Sequence, residues 1–355
     1  MSDQSRADDA PAIRCRNVWQ VFGPDAAAQL SAAQDRAKGN PEAAARILRK
    51  EGLVPAVQDV SFDVMRGEIF VIMGLSGSGK STILRCISRL IEVTAGRIDI
   101  DDEDILHASK TRMTHLRRRK LGMVFQHFGL FPHMNVAQNV AFPLKMQKQH
   151  RAERAARAQE MINLVGLEGR EEAYPRELSG GQRQRVGIAR SLAVNPDVWF
   201  LDEPFSALDP LIRRQLQDEF IGIQARLRKT IIFITHDIAE ALKVADRIAI
   251  MRDGQIVQIG PPSQIVLAPV DGYVRDFTRD VPKGRHARLS SVLHPVDPQA
   301  PPARDDPGLR VDMTLDEALD ACMSLYRPVP VRGRDGRIVG MIDPVDLSRA
   351  LQADP

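Results

Sequence analysis

The chain has 355 residues with 49 Lys plus Arg against 46 Asp plus Glu, a length beyond the growth of one core that predicts a large domain and a smaller appended one. The near balance of charge points to no polyanionic partner, and the composition is that of an ordinary soluble globular protein. Cys15, Cys86 and Cys322 lie far apart without CxxC spacing, so neither a disulfide framework nor a zinc site is expected and a reducing cytosol fits.

Residues 1–12 lack a basic start followed by an apolar run, so no secretory signal is expected, and they read as a disordered N-terminus. Residues 13–23 and 57–65 alternate apolar and polar positions, which predicts half-buried antiparallel strands. Between them, residues 24–55 form an alanine-rich insertion of two helices, with Asn40 as N-cap, Pro41 at the first helical position and Gly52 as a stop. From residue 69 continuous apolar runs (IFVIM, VWFL, IIFI, RIAIM) alternate with helical segments, the pattern of buried parallel strands in an α/β core. Segment 130–195 is mostly helical and predicts a helical subdomain. All these runs fall far short of the roughly 20 residues that span a bilayer, so a membrane role requires a partner. The cluster Lys110, Arg112, Arg117, Arg118, Arg119 and Lys120 has no interleaved aromatic residues and reads as a solvated helix face, not a nucleic-acid site. Residues 281–309 are proline-rich and predict a linker. Beyond it, helix, strand, turn, strand and helix follow within 310–353, with Asp343 placed to cap the last helix and Pro344 to open it.

Gly74, Gly79, Lys80 and Ser81 match G-x-x-x-x-G-K-[ST], enclosing Leu75, Ser76, Gly77 and Ser78 and followed by Thr82, between the strand IFVIM and a helix. Glycines there let backbone N–H groups wrap phosphates, the helix N-terminus adds a positive dipole, Lys80 reaches the terminal phosphates and Ser81 can ligate Mg²⁺. The strand Val198–Leu201 ends in Asp202 and Glu203, at the edge where α/β sheets bind ligands. Asp202 is placed to hold Mg²⁺ and Glu203, one residue further, to act as general base on water. An Asp-Glu pair after a strand can also be a helix N-cap; its distance from the P-loop favours the catalytic reading.

Leu178-Ser179-Gly180-Gly181-Gln182 is identical to the signature sequence of ATP-binding cassette (ABC) proteins, and the rest of that family's pattern follows in order. Gln126 resembles the Q-loop glutamine, a further Mg²⁺ ligand; Ser206-Ala207-Leu208-Asp209 resembles the D-loop; His236 resembles the switch histidine; Phe22 resembles the aromatic that stacks on adenine, with Trp19 the second candidate. The resemblance implies a P-loop NTPase fold of the ABC type, with an antiparallel β subdomain and a helical subdomain, that binds ATP and Mg²⁺ and hydrolyses ATP. Ser179, Gly180 and Gly181 open a helix and offer an anion site far along the chain from the P-loop, so they are expected to serve the γ-phosphate held by a second copy in a head-to-tail dimer. The insertion, the runs GEIFVIMGLSGSGKST and FSALDPLIRRQLQDEF, and a tail similar to one cystathionine-β-synthase (CBS) motif resemble the ATPase subunit of glycine betaine/proline, quaternary-amine importers, over about residues 13–280 and more loosely in the tail. That family implies integral membrane permease subunits, indirectly a periplasmic or lipid-anchored solute-binding protein, and a place at the cytoplasmic face of the inner membrane. Alternatives are an importer of polyamines or other small solutes and, last, a soluble ABC ATPase acting on nucleic acid or the ribosome. Members often carry two CBS motifs; only one is legible here, and a regulatory tail and a structural remnant both remain open.

Overall fold

The computed structural model describes residues 10–126, 128–281, 284, 289–293, 308–322, 327–333 and 336–352. They group into two compact units, 1–257 and 258–355. Most of the expected disordered N-terminus and most of the expected linker lie outside the described residues.

In the first unit β1 (Pro11–Phe22) is followed by two helices, α1 (Ala26–Arg36) and α2 (Pro41–Lys50), and then by β2 (Val54–Met65). Strands β1 and β2 pair antiparallel, with Phe22 opposite Val54. The helical hairpin forms where the alanine-rich insertion predicts it. Asn40 caps α2 by accepting the Ala43 N–H at 2.9 Å, and Gly52 leaves it at φ 80°, as helix stops do. Strand β3 (Ile69–Met73), helix α3 (Lys80–Ile87), strands β4 (Ala95–Ile100) and β5 (Glu103–Asp104), helix α4 (Lys110–Arg119) and strand β6 (Leu121–Val124) come next. The helical subdomain holds α5 (Val136–Met146), α6 (Arg151–Leu164) and α7 (Gly180–Ala193); then follow β7 (Val198–Asp202), α8 (Pro210–Leu227), β8 (Thr230–Thr235), α9 (Ile238–Val244), β9 (Arg247–Arg252) and β10 (Gln255–Gly260).

The strands form two sheets, ordered β2-β1-β4-β5 and β10-β9-β3-β8-β7-β6. Strands β3, β7 and β8 are buried along their whole length, which is why they read as continuous apolar runs without alternation. Their registers are parallel, so the carboxyl ends of β3, β8, β7 and β6 lie side by side. Trp199, Phe205, Phe220 and Phe233 pack as a ring cluster around β7 and β8, and the buried Trp199 indole N–H donates to Ser191 Oγ at 2.9 Å. Part of the basic cluster serves internal bonds. Arg112 pairs with Glu103 at 2.6 Å and Lys120 with Asp101 at 2.7 Å, while Arg117 donates to the Ser88 and Arg89 carbonyls.

The second unit begins with α10 (Pro262–Leu267) and α11 (Gly272–Thr278). Further on, α12 (Leu315–Cys322), β11 (Val329–Arg332), β12 (Ile338–Ile342) and α13 (Pro344–Gln352) follow in the predicted order, and β11 pairs antiparallel with β12. Asp343 caps α13, its Oδ1 accepting the Val345 N–H at 2.8 Å. The core of this unit includes Leu315, Val331 and Ile342, but also Leu289 and Leu309, which fall in the expected linker, and Leu267 packs against it. Packed structure therefore reaches N-terminal of residue 310 because apolar residues within the proline-rich stretch find a core to enter. No helix among the described residues is long and apolar enough to cross a membrane.

The hairpin has its own core, in which Trp19, Val21, Leu30, Leu48 and Leu53 are buried. Leu48→Ala should lower unfolding free energy by about 2–5 kcal/mol through lost transfer energy and a residual cavity, read from urea unfolding; a change within error would show that the hairpin is not packed on β1.

Candidate active site

The loop from β3 to α3 is held by backbone on both sides. Gly74 and Gly79 have φ 155° and 101°, and a Cβ on either would collide with the carbonyl of Met251 or of Ala56 respectively, so only glycine allows this turn. The Ser78 carbonyl accepts the Gly254 N–H at 3.0 Å, and the Gly254 carbonyl accepts the Gln58 N–H at 2.8 Å. Lys80 is buried, and its ammonium donates to the carbonyls of Gly74 at 2.8 Å and Leu75 at 2.9 Å. Burial pushes the Lys80 ammonium below its ordinary value, opposed by the nearby Glu203 and Asp202 carboxylates.

Asp202 ends β7 and is 4% exposed. Ser81 Oγ donates to its Oδ1 at 2.9 Å. Burial raises the Asp202 carboxyl above the usual carboxylate range, an effect that the Ser81 hydroxyl and the Arg85 guanidinium oppose. Glu203 follows at φ 45°, a left-handed conformation that non-glycine residues adopt at a cost. Its Oε2 accepts from Gln126 Nε2 at 3.3 Å and lies 3.0 Å from His236 Nδ1. Gln126 follows β6 and His236 follows β8, so the strand order brings two distant residues to one carboxylate oxygen.

Most of these residues line a cleft of about 510 Å³; Gly74 and Asp202 are not among its lining residues. Leu75, Ser76, Gly77, Gly79, Lys80, Ser81 and Thr82 line it from the P-loop, together with Gln126, Glu203 and His236. Ser78 does not line it; its hydroxyl is buried without a hydrogen-bond partner, and its part is the backbone brace to Gly254. Ala56 also lines the cleft, a residue that sequence reading missed because it has no functional group to signal. Phe22 is 45% exposed at the end of β1, opposite Val54, two residues before Ala56 on β2. Trp19 is only 2% exposed and belongs to the hairpin core, which removes it as a base-stacking candidate: the insertion covers its face of β1.

The signature residues form a second group outside this cleft. Ser179 caps α7, accepting the Gln182 N–H at 3.2 Å while Gln182 Oε1 accepts the Ser179 N–H at 2.9 Å, a capping box. Gly180 and Gly181 lie against Leu208 and Ile212, on either side of Asp209, which caps α8 through the Ile212 N–H at 3.0 Å. Sequence reading also missed Asp237, although its place before the helical run IAEALKV is a cap signal; its Oδ1 accepts the Ala239 and Glu240 N–H groups at 2.9 and 3.2 Å.

A parallel core sheet carrying a P-loop after β3, two carboxylates at the carboxyl end of β7, two strands away across β8, and a separate signature helix define a P-loop nucleotide-hydrolysing domain of the ATP-binding cassette class. The ABC transporter family profile matches residues 57–206. The trimethylamine N-oxide transport system ATP-binding protein TmoW of Ruegeria pomeroyi is 58% identical over 276 residues, 78% of this chain and 79% of that protein. TmoW of Pelagibacter ubique is 47% identical over 336 residues, covering 94% and 95% of the two chains. The glycine betaine transport ATP-binding protein OpuAA of Bacillus subtilis is 43% identical over 96% of this chain and 78% of its own length. A solved dimeric ATP-binding cassette in a post-hydrolysis state bound to ADP and Pi aligns with TM-score 0.59 and 31% identity over 70% of this chain and 98% of that one. The chain belongs to the family of ATP-binding subunits of ABC transport systems, whose general activity is ATP hydrolysis.

The raised Asp202 carboxyl carries a sign. The folded protein holds that proton to higher pH than the unfolded chain, so this group's contribution to stability is greatest below the unfolded value and falls as pH rises through the folded one. Asp202→Asn removes the buried charge and keeps an acceptor for Ser81, so without nucleotide the variant should melt at or above the parent at pH 8 and lose less stability as pH rises from about 4, the ordinary carboxylate value, to 8. A parallel fall in both proteins would exclude Asp202 as the source.

Proposed function

We propose that this chain hydrolyses ATP as one of two identical subunits and thereby drives uptake of a small, fully methylated or quaternary amine through a separate membrane permease. The observation that carries this reading is the convergence of Gln126 and His236 on Glu203 Oε2 beside Lys80 and Ser81, with Ser179 to Gln182 outside that cleft. One chain then holds a P-loop half and a signature half, and head-to-tail pairing with a second copy completes two sites.

In this reading the P-loop N–H groups and Lys80 hold the phosphates, and the bonds of Lys80 to its own loop carbonyls give way to the phosphate oxygens. Glu203 takes a proton from the attacking water, and His236, already hydrogen-bonded to Glu203, keeps water and γ-phosphate in line. Phe22, exposed at the sheet end with Val54 and Ala56 beside it, stacks on the base. The Ser81 hydroxyl and the buried Asp202 carboxylate, with the Gln126 amide oxygen, are the hard oxygen donors that Mg²⁺ prefers, and a cation there relieves the burial that raises Asp202. When bound, Mg²⁺ neutralises charge on the transferring phosphate.

The relatives named for trimethylamine N-oxide and glycine betaine transport point to solutes whose nitrogen carries three methyl groups, and the higher identity of the first favours trimethylamine N-oxide over glycine betaine, proline betaine, choline and proline. A permease and, through it, a solute-binding protein are the implied partners, placing the chain at the cytoplasmic face of the membrane. The helix-strand-strand-helix order within 310–353 supports one CBS-like motif in the tail.

Glu203→Gln should keep ATP affinity within about twofold while lowering turnover at least about a hundredfold and accumulating a nucleotide-bound dimer on gel filtration. Near-normal hydrolysis removes Glu203 from the role of base. For the solute, competition against labelled trimethylamine N-oxide uptake by the reconstituted system should rank that compound above glycine betaine, with polyamines inert; uptake driven by polyamines alone overturns the methylated-amine assignment.

A further inference from the structure

A closed circuit of bonds joins the loop after β7 to the loop after β8. Glu203 Oε2 lies 3.0 Å from His236 Nδ1, and the Glu203 carbonyl accepts from Ser206 Oγ at 3.0 Å. Two residues on, the Leu208 carbonyl accepts from Arg213 Nη2 at 3.1 Å. The other end of that guanidinium, Nη1, lies 3.5 Å from Asp237 Oδ2, and Asp237 adjoins His236.

The two oxygens of Asp237 do different work. Oδ1 caps α9, while Oδ2 faces Arg213. Arg213 sits one turn into α8, its backbone N–H bonded to the carbonyl of Asp209 at 2.9 Å, so it belongs to the same stretch that packs beside Gly180 and Gly181. Its Nε is buried without a hydrogen-bond partner, so the two Nη ends are what it commits. With Arg213 at 29% and Asp237 at 35% side-chain exposure, the ion pair adds little to stability. Its use is geometric, because the rigid planar fork reaches two separated acceptors from Nη1 and Nη2, whereas a lysine ammonium donates from a single point.

We propose that Arg213 is a positioning residue that ties the Leu208-Asp209 loop to the His236-Asp237 loop, so that contact of a second copy at Asp209 sets the Glu203–His236 pair for hydrolysis. The inference deepens the site reading above and rests on it. A displaced His236 leaves the P-loop untouched, so nucleotide binding survives while the chemical step suffers.

The test uses steady-state ATP hydrolysis by the full chain, with nucleotide affinity and melting temperature measured in parallel. Arg213→Met should lower kcat about tenfold or more with KM within about twofold, since a misplacement of about 1 Å in the catalytic geometry can cost on the order of a hundredfold. Arg213→Lys should recover only part of the loss. Asp237→Asn keeps a competent helix cap, should lower kcat similarly, and combined with Arg213→Met should cost no more than either alone. The idea is overturned if Arg213→Met leaves kcat within about twofold, if KM and melting temperature deteriorate together with kcat, or if the two substitutions are additive. His236→Ala separates the two levels: normal turnover there overturns the site reading and this inference with it, whereas loss there beside normal Arg213→Met turnover overturns this inference alone.

Discussion

The turn between β3 and α3 is made where two backbones leave no room for a side chain. Met251, from the neighbouring parallel strand, closes over Gly74, and Ala56, from the antiparallel layer, closes over Gly79. This turn is therefore a product of both sheets, which the Gln58–Gly254–Ser78 backbone bonds join. In return the loop presents N–H groups at a helix N-terminus, an anion site whose field needs no mobile side chain. Lys80 folds back on two loop carbonyls, and burial there lowers its ammonium below the ordinary value.

Two adjacent carboxylates acquire different characters from this frame. Asp202 completes a fully buried strand, where desolvation raises its carboxyl above the usual carboxylate range. Glu203 leaves the strand in the left-handed region, a conformation that costs about 1–2 kcal/mol for a residue with a Cβ. Its backbone N–H bonded to the Ile234 carbonyl at 3.0 Å and its carbonyl bonded to Ser206 hold it there. That twist sends its side chain into the cleft with Gln126 and His236 instead of continuing the alternation of the strand.

The separation of the signature group from the cleft follows from the helical subdomain. Helix α7 begins at a capping box whose N–H groups are partly used by Ser179 and Gln182 themselves, and it packs on the first turn of α8 through Gly181 and Ile212. The stretch that carries Asp209 is thus shared: one side supports the signature helix and the other, through Arg213, reaches the loop of His236. The stretch that carries Asp209 therefore has a short covalent and hydrogen-bonded route to His236 and Glu203.

Features built from neighbouring residues were legible in the sequence, because their physics is local. The P-loop announces itself as strand, glycines and helix in one run; Asn40-Pro41 and Asp343-Pro344 announce helix starts; the apolar runs announce buried parallel strands. What sequence could not reveal is which residues face each other. Gln126 and His236 lie 77 and 33 residues from Glu203, and they meet only because β6, β7 and β8 are adjacent and parallel in the sheet. Phe22 and Trp19 were both plausible stacking partners in one strand, and only the packing of the hairpin against Trp19 separated them. Sequence by itself determined the chemistry available, through residue types at fixed local spacing; tertiary structure decided which groups share a cleft, since strand order and the face covered by an insertion depend on long-range burial that no local pattern encodes.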